Sequence, residues 1–405
     1  MKVRSLKEQY EIKDQFLKER LEMILPEVMK ESEADMWIVA SKEYHEDPTF
    51  KAMVPSEYLT ARRITMFVFS KESDGVHRYS LSMPDESVAR FYESRWNFGK
   101  EDQMDALKKL LEEKNPTKIA LNMSKDFAVC DGFSIGLYQM FKESLGDRWI
   151  SRMINDDMLA MKFMEIRTPS ELKMMDEVIE VAHDIMERMY TTDVIKPGIT
   201  TTNDLEWFMK EEVNKLGLIY WFEPTMDLQR KGAAESRHFN CVIEKGDLLH
   251  CDFGIYYLNM CTDTQRLAYV AKDDEDELPQ YLKEGMQVGN RFQDIVMKNM
   301  VPGRTGNEVF ESSIKEAKEE GIEAMLYTHP TNMYGHGPGP TIGLYSNQNP
   351  IPVKGDVVLS DNTVYALELN VKVDGYYYYL EETVALENGK VRFLYKDRDK
   401  ITFVK

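Results

Sequence analysis

In the first 160 residues, apolar positions fall into two kinds of run. MWIVA (36–40), TMFVFS (65–70) and KIALNM (118–123) are apolar blocks of strand length, whereas QMDALKKLLEEK (103–114) repeats its apolar residues at helical spacing. The N-terminal MKVRSLKEQYEIKDQFLKERLEMI reads as an amphipathic helix with no apolar signal core. Strands interleaved with helices predict a small α/β domain over residues 1–160. It gathers no cluster of catalytic residue types, which assigns it to support or oligomerisation.

A second domain is expected over residues 161–405, and its first long helix announces itself in RTPSEL (167–172). Thr168 is placed as the N-cap, Pro169 at the first helical position and Glu171 as the far side of a capping box. Leu172, Met175, Ile179, Ala182, Met186 and Met189 then recur at spacings of three and four, a stripe that faces a core.

The same patterning exposes an internal repeat. KPGITTTNDLEWFMKEEVNKLGL (196–218) and VPGRTGNEVFESSIKEAKEEGI (301–322) share a plan: Pro-Gly, a threonine two places later, an amphipathic helix, then glycine and an aliphatic residue. A strand follows each copy, and GDLLHCDFG (246–254) matches NTVYALELN (362–370), so that Asp252 falls opposite Glu368. Each strand turns and returns to another acid, Asp263 in the first copy and Glu381 in the second. Asp374-Gly375 makes the second turn explicit. Two related halves are predicted, each carrying an acid-bearing hairpin.

Composition changes this picture only by exclusion. With 51 basic and 70 acidic residues the net charge is −19, which argues against nucleic acid as the partner. No apolar run approaches a membrane span, so no membrane partner is expected, and the chain reads as cytoplasmic. Cys130, Cys241, Cys251 and Cys261 lack zinc-finger or CxxC spacing and read as packed free thiols.

The acids change the picture more. Two facing halves bring Asp252, Asp263, Glu368 and Glu381 together, and four converging carboxylates stay ionised only if cations neutralise them. Two divalent ions bridged by hard oxygen ligands supply that charge. His336, within the glycine-rich NMYGHGPGP (332–340), offers a fifth ligand. Glu382 adjoins Glu381, but strand alternation turns it to the other face.

The ordered set Asp252, Asp263, His336, Glu368, Glu381 resembles the pita-bread metallopeptidases: methionine aminopeptidase, aminopeptidase P, prolidase and their relative creatinase. HCDFGIYYLNMCTDTQRLAYV (250–270) is similar to the family's Asp-x-Gly hairpin, YALELN (365–370) to its glutamate strand and YLEETVAL (379–386) to its last strand. The leading domain resembles that of creatinase, aminopeptidase P and prolidase. The resemblance implies a pita-bread catalytic domain with a pseudo-two-fold repeat, behind a creatinase-like α/β domain, in a homodimer. It implies that Asp252 holds one metal through both oxygens, that Asp263 and Glu381 bridge, and that His336 and Glu368 complete the other. The cations it implies are manganese, cobalt, zinc or iron. It implies further that a hydroxide between them would attack the scissile carbonyl and that Glu368 would pass a proton to the leaving amine. Thr383 is expected behind the ligands, and Arg266 as a structural partner of carboxylates.

The substrate-handling shell departs from the family pattern. His238 and His329 are the candidate catalytic histidines outside the metal set, with a structural hydrogen-bonding role as the alternative; His250 is a weaker candidate of the same kind. Where prolidase-like members carry two further histidines this chain has Asn332 and Gly343, and Tyr379 replaces an aminopeptidase P arginine. Arg230 and Arg237 are either solvated or placed to meet a substrate carboxylate. The resemblance therefore implies an Xaa-Pro aminopeptidase or prolidase-like exopeptidase acting on small peptides. Two rivals stand beside it: another hydrolase or lyase reaction of a small molecule on the same metal site, and a catalytically silent binding protein.

Overall fold

The structure is a computed structural model that describes residues 3–233 and 236–405. It divides into two compact units, with the division between Thr168 and Pro169. The break therefore falls at the RTPSEL capping sequence, and the short helix Asp157–Glu165 belongs to the first unit.

The first unit is a six-stranded mixed sheet with helices. Its central strand Met36–Lys42 pairs antiparallel with Ile64–Glu72 and parallel with Ile119–Leu121, the three strands read from the sequence. Helix Gln103–Lys114 is capped by Asp102 and ends on Asn115 in the left-handed region (φ 45°). The N-terminal helix Leu6–Glu19 carries a Ser5/Glu8 capping box and runs on through a wide turn, Arg20–Ile24, into Leu25–Glu31. Pro26 explains the wide turn, because it cannot donate to the preceding turn and its ring crowds that carbonyl.

In the second unit, helix Pro169–Met189 buries all six residues of the predicted stripe. The main sheet orders its strands as Gly335–His336, His329–Asn332, Thr363–Val373, Tyr376–Glu387, Thr264–Val270, Leu248–Phe253 and Thr225–Gln229. Along the long hairpin, Leu367, Leu369, Tyr378 and Leu380 enter the apolar core. Helix Gln280–Asn299 lies so close to this face that a Cβ at Gly285 would sit 2.0 Å from the Tyr378 ring. Alternation then turns Glu368 and Glu381, paired across the hairpin, to the opposite face. The hairpin turn uses Asp374 (φ 50°) and Gly375 (φ 83°), the two left-handed residues a type I′ turn needs.

The repeat is real in three dimensions, with one adjustment. Helices Thr202–Lys215 and Gly306–Glu319 both begin with capping boxes, Thr201/Asp204 and Thr305/Glu308. Gly198 N–H donates to Ile243 (2.8 Å) as Gly303 N–H donates to Leu359 (3.0 Å), and Thr201 bridges Val242 as Thr305 bridges Val358. The partner of Thr305 is thus Thr201, not Thr200, and the first copy's extra residue lies between its Pro-Gly and its cap. Both helices end on a left-handed glycine, Gly217 and Gly321. Among the described residues no helix is long and apolar enough to cross a membrane, and all four cysteines are free.

Candidate metal centre

Strand register builds the site. Asp252 pairs with Gln265, Gln265 with Glu381, and Glu381 with Glu368, so one row of the sheet carries three of the four acids. Asp263 enters from the residue before strand Thr264–Val270, where Thr383 Oγ1 donates to its carbonyl at 2.9 Å. Carboxylate oxygens of Asp252, Asp263 and Glu381 lie within 4.8 Å of one another.

Burial dominates the electrostatics. It raises the Asp252 carboxyl to about 6. Burial, then the charge of Asp252, raises Glu368 to about 8. Asp263 and Glu381 are pushed well above the usual carboxylate range by burial and by the neighbouring acids. Asp252 Oδ1 and Glu381 Oε2 are buried with no hydrogen-bond partner among the described residues. Two orphaned oxygens in a nest of acids that resist ionisation are the mark of a site whose positive charge comes from outside the chain. Hard divalent cations fit this donor set.

The histidines stand in the reverse of the expected order. His329 groups with Glu368 and Glu381, and its Nε2 lies 3.5 Å from Asp263 Oδ2 and 3.9 Å from Glu381 Oε1. Among the described residues His336 joins Asp263 and His329; its ring stands perpendicular to His329, 4.5 Å away, and packs against Trp221. The reason is register: His329 pairs with Ala366, beside the glutamate strand's acid, and the chain then turns back at Gly335 (φ 76°) before it reaches His336. The GHGPG context drew attention to the far side of that turn, where His336 shares a group with Asp263 and His329. His329 Nδ1 donates to the Pro330 carbonyl at 3.0 Å, which leaves the Nε2 lone pair facing the acids. Burial, then His336, lowers its pKa to about 4, so the ring is neutral at working pH.

The remaining candidates resolve one by one. Glu382 lies on the other face, paired with Arg266 through Nη1–Oε1 (2.5 Å) and Nη2–Oε2 (2.8 Å). His238 exchanges two main-chain hydrogen bonds with Leu228 and joins none of the ligand groups found among the described residues. Arg230, exposed to solvent, and Arg237, partly buried, are each engaged in a two-point pair, with Asp247 and Asp227. Asn332 is buried, and its side-chain oxygen accepts from the Tyr334 N–H. Gly343 has φ 75°, and a Cβ there would lie 2.1 Å from the Leu326 carbonyl oxygen, so this backbone admits no histidine. Tyr379 places its ring 4.7 Å from the Arg237 guanidinium. Sequence reasoning passed over Gln265, whose Nε2 donates to Glu368 Oε1 at 2.6 Å, and Asp227 behind it. Alternation from Asp263 carried a signal for Gln265; nothing local marked Asp227.

Comparison with known proteins agrees with this geometry. Residues 173–393 match the model of metallopeptidase family M24. The Bacillus subtilis protein named "Uncharacterized peptidase YqhT" is 25% identical over 249 residues, 59% of this chain and 65% of its own length, so the chain spans less than two thirds of that relative. The X-Pro aminopeptidase from Thermotoga maritima shares the fold with a TM-score of 0.68 at 19% identity, over 93% of this chain and 100% of that one. The Xaa-Pro dipeptidase from Bacillus anthracis does so with a TM-score of 0.66 at 19% identity, over 96% and 99%. The pita-bread fold is therefore that of the structure. With more than half of its residues matched, the chain belongs to metallopeptidase family M24.

Proposed function

We propose that the chain is a two-cation metallo-exopeptidase of the Xaa-Pro aminopeptidase or prolidase type. Asp252, Asp263 and Glu381 would hold one divalent cation; Asp263, Glu381, His329 and Glu368 the other. In this reading His329 takes the place expected of His336. The observation that carries the proposal is the buried convergence of four acids and one neutral imidazole with two oxygens left unpartnered. Bound cations there polarise a scissile carbonyl and acidify water. The chain's own part is to keep His329 neutral, to seat Asp263 through Thr383, and to present Glu368 for proton transfer to the leaving amine. His238 remains the candidate for a substrate-side hydrogen bond.

Elemental analysis of chelator-free protein should find up to two divalent ions per chain. A panel of Xaa-Pro dipeptides and longer Xaa-Pro peptides, assayed with manganese, cobalt, zinc or iron, should reveal cleavage at the Xaa-Pro bond. Protein that takes up no metal on titration sinks the proposal. Metal-loaded protein inert on the panel but active on other small amides would favour the second hydrolase reading.

The two histidines separate cleanly. His329→Ala is expected to lose one metal equivalent and at least about 100-fold in activity, whereas His336→Ala should keep its metal and lose about 10-fold or less. The reverse ranking, read by metal content alone, would restore His336 as the ligand.

A further inference from the structure

Glu368 is not held by the sheet alone. Behind its Oε1, away from the other acids, runs a line of buried polar side chains across three adjacent strands. Gln265 Nε2 donates to Glu368 Oε1 at 2.6 Å, and the amide oxygen of Gln265 faces His250 Nε2 at 3.0 Å. His250 Nδ1 donates to Asp227 Oδ2 at 2.7 Å, and the other Asp227 oxygen accepts from Arg237 Nε at 2.9 Å. Asp227 and His250 face each other in strand register, and Asp227 is fully buried.

Three polar side chains buried in a row, Gln265, His250 and Asp227, are an expensive way to fill space, since each must find a partner and apolar residues would pack there as well. What the row achieves is direction. A glutamine amide has two orientations, and only the one with its oxygen towards His250 offers an N–H to Glu368. Reversed, it would set an oxygen against a carboxylate. His250 selects that orientation by donating from both ring nitrogens, Nδ1 to Asp227 and Nε2 to the Gln265 oxygen, with the Asp227 carboxylate as the counter-charge beside the ring.

We infer that Asp227, His250 and Gln265 are positioning residues that lock one Glu368 oxygen in place and leave its other oxygen to face the metal site and substrate. The inference rests on the proposed metal reading of the site. None of the three touches the reacting atoms; they act through Glu368.

The test uses the full-length protein with manganese(II) as the probe. Calorimetric titration of wild type comes first, and then of Gln265→Met, Gln265→Glu and His250→Phe, each checked by circular dichroism and thermal melting. Both Gln265 variants are expected to weaken the second manganese equivalent by about 10–100-fold and to lower kcat with KM within about 2-fold. The double variant Gln265→Met/His250→Phe should be no worse than the poorer single one, because both break one chain. Gln265→Glu, nearly the same shape as glutamine, keeps the test open if the methionine variant misfolds. Wild type that binds manganese alongside folded Gln265 variants with unchanged affinity, or a double variant whose losses multiply, would overturn the inference while leaving the metal reading intact. Wild type that binds no manganese would overturn both.

Discussion

Asp263→Asn is expected to cost the protein both cations and at least about 1,000-fold in turnover, the largest effect of any single side-chain change in the site. The substitution keeps the volume and the main-chain hydrogen bond between the Asp263 carbonyl and Thr383. It removes one negative charge from the carboxylate that stands both in the group with Asp252 and Glu381 and in the group with His329 and His336. An amide in that place offers one neutral oxygen where two cations would need a charged bridge. Metal content read by elemental analysis, with the fold followed by circular dichroism, separates loss of ligand from loss of structure. The metal-free variant should be the more stable of the two metal-free proteins at neutral pH, because a buried acid that resists ionisation has been replaced by a neutral group. Undiminished metal binding would contradict the bridging role.

How far this site was legible depended on whether its signal was periodic. Asp252, Asp263, Glu368 and Glu381 could be found because they sit at matching places in a repeat and on strands whose alternation fixes their face. The same alternation separated Glu381 from Glu382. His329 and His336 defeated that logic, because a tight turn with a left-handed glycine lies between them and no period runs through a turn. Residue context then favoured the glycine-flanked His336, whereas pairing to the glutamate strand placed His329 among the acids. The partners of Arg230 and Arg237 were hidden for a related reason: Asp247 and Asp227 are buried by tertiary packing that leaves no local trace. Thr201 against Thr200 was an error of one residue, which a capping box resolves only once the backbone is known. Helix Gln103–Lys114 was legible from the spacing of its apolar residues. The division between the units, read at 160/161, falls eight residues later at Thr168/Pro169, because the short helix Asp157–Glu165 packs with the first unit.

Stripping the cations should reverse the way stability responds to pH. Asp252 and Glu368 have folded-state values near 6 and 8, both above those of an unfolded chain, and Asp263 and Glu381 are raised further. Between the unfolded and folded values the native protein holds more protons than the unfolded one. Its stability is therefore greatest at low pH and falls as pH rises through this window. His329 and His336 work the other way below about 6.5, since burial depresses both and the unfolded chain then binds the extra protons. The informative interval is pH 6.5 to 8, where ordinary carboxylates are already ionised and ordinary imidazoles lose the second half of their protons, an opposing contribution that fades as pH rises. There each net proton retained by the folded acids should cost the metal-free protein roughly 2 kcal/mol, read as a falling Tm in EDTA-treated samples. With manganese present the slope should flatten or change sign, because the cation binds the ionised carboxylates and the neutral imidazole, and its affinity grows as they lose their protons. A metal-free Tm that held steady or rose from pH 6.5 to 8 would mean that the four acids ionise without outside charge. The case for a cation in this pocket would then lose its physical basis.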